Sequence, residues 1–361
     1  MKHNWTPKES GISFSMFVLI YFGGTLILAL AGELAGFNLE KGSIEKLVAN
    51  SLLLALLPLA SYIFAAYTDT NWISAVKADG GMNIKTALKC VALVLLCIVA
   101  FVPLSVLFTK LCSGVSLTEK TELATGTGSI SPVYFVLSIF FTGILTAFSE
   151  ETAFRGVIAG GLKPAGMPFA ALTCALFFML MHATPAQTVY QFLMGLVMAV
   201  LFLKSNSLWP GIIVHSLNNI IILTVDFILS EVKVTGFAYE AVRYLFYDCD
   251  LIISVFAAPA AAAGIFFLLK SVKPLKKEKY PPAEEFDKLR KEETEKEDLK
   301  WEKIAAAKNN ETYIENRSLY VSENRRILSK YSMSRKQVYL YALIGLLITA
   351  EMWIESFIRL F

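Results

Sequence analysis

The chain has 361 residues, 55% of them hydrophobic and 17% charged, with a mean hydropathy of +0.56. Soluble domains carry about a quarter of their residues as charges, so this composition excludes an ordinary soluble globule and points to the membrane class. A formal net charge of +3 is too small to suggest a nucleic-acid partner, and none is expected.

The first apolar run, at about residues 12–36, is too long for the apolar core of a signal peptide and reads as a retained first span. Further apolar windows recur at about 46–67, 87–110, 132–162, 168–183, 187–204, 208–230 and 250–270, with a last one at 337–360. Only helices and closed barrels satisfy their backbone in lipid, and windows of this length read as helix. The expected fold is therefore all-α: a polytopic integral membrane bundle of about nine transmembrane helices. Residues 271–336 break the pattern with dense charge of both signs. Glu/Lys neighbours at i,i+4 spacing favour helix there, but apolar residues are few, so a charged, largely helical or disordered insert is expected. The chain then divides into N-terminal transmembrane helices (1–131), a core (132–230), a further transmembrane helix (231–270), the insert (271–336) and a C-terminal transmembrane helix (337–361). The five cysteines show no paired ligand spacing and read as membrane-packing residues.

Lys270, Lys273, Lys276 and Lys277 follow the eighth window, and Arg325, Arg326, Lys330, Arg335 and Lys336 precede the ninth. The positive-inside rule therefore places the insert in the cytoplasm, and counting spans backward places the N-terminus there too. The plasma membrane is the expected location. The same count leaves the 68–85 connection, the 162–167 turn and Lys204 on the inner side but Lys41, Lys46, Lys110 and Lys120 on the outer, so the assignment rests mainly on the insert.

Within the fourth window stands Ser149-Glu-Glu-Thr-Ala-Phe-Arg155. A charge at bilayer depth costs about 2.5–3.5 kcal/mol on insertion scales, so such residues usually face a bundle interior or wet cavity and serve function. Glu151 and Arg155 lie four apart with the acid first, which suits a same-face ion pair. Glu150 points about a quarter-turn away and is left for chemistry. Read structurally, the three would be only a polar cluster. Gly156-Val-Ile-Ala-Gly160 below them is a small-xxx-small packing face.

Two of the three histidines fall inside later windows, in Phe178-Met-Leu-Met-His182 and His215-Ser-Leu-Asn-Asn219. At about 1.5 Å per residue, Glu150 lies roughly 18 Å from the end of its window and His182 roughly 21 Å from the start of the next, across a shared turn. His215 and Asn219 lie roughly 10 and 17 Å from Leu208 on the same side. All four can share one cavity. His215 and Asn219, four apart, can point at one atom. Such a set holds a base for water, a second proton carrier and donors for an oxyanion. Two histidines and a glutamate are also a catalytic zinc set, with Glu150, His182 and His215 as the ligands. The His-Glu-x-x-His helix of zinc proteases is absent, and spacing alone leaves the cofactor open between none and a divalent metal such as zinc.

In order, these elements resemble the type II CAAX prenyl endopeptidases and their bacterial relatives, the CPBP or Abi intramembrane proteases. The family pattern is Glu-Glu-x-x-x-Arg, then Phe-x-x-x-His, then His-x-x-x-Asn or Asp on separate helices. It is met here by Glu150-Glu151 with Arg155, by Phe178 with His182, and by His215 with Asn219. The resemblance spans about residues 132–230. It implies that Glu150 is the base acting on water with His182, that His215 and Asn219 stabilise the oxyanion, and that Glu151, Arg155 and Phe178 support the site. Both metal-dependent and metal-free mechanisms have been put forward for the family. Eukaryotic members remove a C-terminal tripeptide after a prenylated cysteine, and bacterial members are linked to bacteriocin immunity and peptide maturation. The expected function is an intramembrane endopeptidase acting on a peptide or protein substrate in the bilayer. The alternatives are a non-catalytic membrane immunity or peptide-binding protein and, third, a proton-coupled transporter.

Overall fold

A computed structural model describes residues 5–36, 39, 43–68, 70–113, 131–231, 236–248, 251–276 and 335–358. All nine predicted windows are helical among them: α1 (Pro7–Ala35), α2 (Ile44–Tyr67), α3 (Ile84–Ser113), α4 (Pro132–Ala165), α5 (Met167–Met181), α6 (Thr188–Ser205), α7 (Trp209–Glu231), α8 (Leu251–Lys270) and α9 (Leu343–Ile358). Six of these, α1 to α4 with α6 and α7, are long and apolar enough to cross a membrane. Exposed apolar side chains such as Leu26, Ile63, Phe266 and Leu347 coat the outside, as a lipid solvent allows. The expectation for the charged insert falls largely on residues 277–334, outside the described residues.

Local chemistry sets the helix starts. Pro7 occupies the first turn of α1, where its missing N–H costs nothing, and Thr6 and Glu9 form a capping box there. Ser131 caps α4 by accepting the Tyr134 N–H at 3.1 Å, again ahead of a proline. The turn between α4 and α5 needs Gly166, whose φ of +106° is open only to glycine.

Three connectors meet on one face of the bundle. The Leu208 N–H donates to the Lys77 carbonyl at 3.1 Å, and Ser207 Oγ donates to the Gly81 carbonyl at 2.7 Å. Beyond α8, the Leu275 N–H reaches the Ser205 carbonyl at 2.7 Å and Lys276 pairs with Asp79. A Cβ on Gly80 would stand 2.6 Å from Ser207 Cα, so the knot closes only around a glycine. The expected topology puts these three connectors on one side, and they are in contact.

One departure from the sequence reading matters for the site: α4 is not a uniform α-helix. It is α-helical over Ala147–Glu150 but winds as π-helix over Ile139–Thr146 and Glu151–Ala159. Its backbone bonds there run i→i+5, an arrangement often found at functional sites. Carbonyls of the widened stretches take donors from neighbouring helices. Ser10 Oγ bonds the Ile158 carbonyl at 3.1 Å, the Cys174 thiol the Phe154 carbonyl at 3.2 Å, and Asn219 Nδ2 the Thr142 carbonyl at 3.1 Å. The small-residue face below packs as expected, with Gly156 against Val76 and Gly160 against Ala75. Cys90, Cys97 and Cys174 are buried and unpaired.

Candidate active site

The two adjacent carboxylates stand in contrasting surroundings. Glu151 is fully buried, and its Oε1 lies 2.8 Å from Arg155 Nη1 and 2.9 Å from His215 Nδ1. One oxygen therefore serves a guanidinium from its own helix and an imidazole from α7. Glu150, at 8% exposure, keeps some access, and its nearest ion-pair partner is His215 Nε2 at 3.7 Å, beyond hydrogen-bonding distance. The spacing of the motif anticipates the Glu151–Arg155 pair. It gives no sign of the Glu151–His215 bond, which joins residues 64 apart in the chain.

Phe178 is the packing centre of the site. Its ring lies edge-on to His182 at 4.7 Å and to His215 at 5.8 Å between centroids, and Arg155 stacks over its face at 4.2 Å. The cation–π contact partly compensates a guanidinium with no access to water. Arg155 Nη2 also leans on the Gly195 carbonyl of α6 at 3.5 Å.

His182 departs from its expected place inside a span. The last helical residue of α5 is Met181, so His182 is its C-cap, followed by Ala183 at φ +50°. The end of a helix leaves carbonyls without partners, and His182 Nδ1 takes that of Phe178 at 2.8 Å. A carbonyl can only accept, so Nδ1 carries the proton and Nε2 is the face left for chemistry.

Asn219 and His215 have different partners within the protein. His215 faces the carboxylates, whereas Asn219 Nδ2 donates to the Thr142 carbonyl and Asn219 Oδ1 accepts from Asn218 Nδ2 at 3.4 Å. The zinc reading requires three side chains converging on one point. Among the described residues no group of three His, Cys, Asp or Glu is placed to hold a metal ion, so the donors do not fit that centre and no step below runs through one.

Two further residues have a part here that motif spacing missed. Gly211, on the first turn of α7, abuts Glu151, and a Cβ there would come within 2.6 Å of Glu151 Oε2. Because Arg155 and His215 pin the same carboxylate, it has little room to yield. Gly211→Ala is expected to lower turnover about 10-fold or more, as a small misplacement of a supporting group does. Kinetics on the folded variant check this, and an unchanged rate would show that Glu151 moves freely. The second is Asn218, which stands between Asn219 and Tyr190.

No curated protein and no solved structure was found to match the chain. The match that does arise lies in the region carrying the site, from the first residue of α4 past His215 and Asn219. Residues 132–221 match the family model described as type II CAAX prenyl endopeptidase Rce1-like, so the chain carries an Rce1-like domain there, consistent with a CPBP-family protease.

Proposed function

We propose that this protein is a CAAX-protease-like intramembrane endopeptidase in which Glu150 activates the attacking water. The observation that carries the reading is the division of labour between neighbouring acids: Glu151 is sealed and doubly paired, while Glu150 retains access and stands 3.7 Å from the His215 ring. Paired acids held in such different surroundings are a mark of acid–base assignment.

Glu150 removes a proton from water, and the resulting hydroxide attacks the scissile carbonyl carbon. The carbonyl oxygen gains the charge. With Nδ1–H committed to Glu151, the His215 ring offers Nε2–H to that oxygen in its imidazolium form, and Asn219 offers a carboxamide N–H. As the C–N bond breaks, the proton taken from water passes to the departing amine, with His182 Nε2 as carrier. Glu151 and Arg155 hold His215 in orientation, as outer carboxylates do for catalytic imidazoles.

The substrate is a peptide or protein segment held in the bilayer. The knotted face of the bundle, rich in Lys77, Lys163, Lys204, Lys270, Lys273 and Lys276, faces the cytoplasm, together with the N-terminus and the insert. The test is a fluorescence-quenched peptide bearing a farnesylated cysteine and a three-residue tail, presented to the protein in proteoliposomes. Wild-type protein should release the tail, and His182→Ala should not. Failure of the wild-type protein to cleave, or retained cleavage in His182→Ala, would overturn the reading.

A further inference from the structure

Beyond the motif residues, a chain of hydrogen bonds leads away from Asn219. Tyr190, near the start of α6, donates its hydroxyl to Asn218 Oδ1 at 2.5 Å. Asn218 Nδ2 reaches Asn219 Oδ1 at 3.4 Å, and Asn219 Nδ2 reaches the Thr142 carbonyl of α4 at 3.1 Å. Tyr190 and Asn218 are both buried. Consecutive residues point about 100° apart on a helix, so α7 turns Asn218 toward α6 and Asn219 toward α4.

The polarity of this chain is fixed from its far end. A backbone carbonyl only accepts, so the Asn219 atom facing Thr142 is nitrogen, and its oxygen must face Asn218. Asn218 therefore presents nitrogen to Asn219 and oxygen to Tyr190, whose hydroxyl donates. A carboxamide nitrogen carries two hydrogens, and Thr142 takes one. A flipped Asn219 would set oxygen against oxygen at Thr142 and nitrogen against nitrogen at Asn218.

We infer that Tyr190 and Asn218 are positioning residues that lock the carboxamide of Asn219 with its second N–H presented as a donor to the developing oxyanion. The inference rests on the hydrolytic reading above. A hydroxyl that merely tied α6 to α7 would contribute the same whether or not Asn219 could donate. A positioning hydroxyl contributes only through Asn219, and that difference is measurable.

The experiment measures kcat and KM with the farnesylated peptide for Tyr190→Phe, Asn219→Ala and their double variant, with Asn218→Leu as a second break in the chain. Losing one oxyanion donor costs about 10²–10³-fold in kcat, which sets the expectation for Asn219→Ala. Tyr190→Phe should lower kcat about 10-fold with KM little changed, and in the Asn219→Ala background it should lower kcat by less than about 2-fold. An unchanged kcat in Tyr190→Phe, or equal losses in both backgrounds, would overturn the inference while wild-type cleavage left the hydrolytic reading standing. A wild-type protein that does not cleave removes both.

Discussion

Glu150→Gln is expected to lower kcat by about 10²–10⁴-fold, the contribution of a positioned general base, while the protein inserts and melts as the wild type does. The substitution is isosteric, and Glu150 makes no hydrogen bond of its own among the described residues, its His215 contact being 3.7 Å. Little native structure is therefore lost with the charge. Glu151→Gln is the informative contrast, since it weakens the Arg155 and His215 contacts together and should reduce stability along with rate. Kinetics in proteoliposomes, with thermal melting followed by tryptophan fluorescence, separate the two. A Glu150→Gln rate within 10-fold of wild type would leave water activation to another group.

Arg155→Ala should be the most destabilising single change at the site, at about 3–5 kcal/mol, because it strands the Glu151 carboxylate in a place with no access to water. The stacking over Phe178 goes with it. Removing both charges is a different experiment: a buried ion pair replaced by apolar side chains of similar volume is often neutral or stabilising. Arg155→Met combined with Glu151→Leu should thus regain much of the lost stability. It should not regain activity, since His215 Nδ1 would have no acceptor to orient it. Equilibrium unfolding of the single and double variants decides this, and full activity in the double variant would mean that His215 needs no anchor.

What the chain order reveals and what it hides divide along a physical line. Each of the nine apolar windows coincides with a helix among the described residues, because the demand for a continuous apolar stretch is local. The Glu151–Arg155 pair was legible for the same reason: both partners lie within one helical turn. The π-helical stretches of α4 were not, since a run of eight or nine almost wholly apolar or motif residues carries no period by which i→i+5 and i→i+4 winding differ. His182 was placed within its helix because the stop is set by Ala183, an alanine at φ +50°, where glycine or asparagine would normally announce it. The Glu151–His215 and Tyr190–Asn218 bonds join distant windows, and only the packing of α4, α6 and α7 brings them together.

The brevity of α5 bears on how water would reach the proposed site. Fifteen residues reach only about 22 Å, against a hydrocarbon layer of about 30 Å, so the segment starting at the lysine-rich face gives out before it has crossed. The polypeptide from His182 to Gln187 continues where the helix stops and closes its own turns, with the His182, Ala183 and Gln187 N–H groups bonding the Met179, Leu180 and Thr184 carbonyls. Under the proposed hydrolytic role, a helix that stops at Met181 leaves water a shorter path to His182 than a complete crossing would.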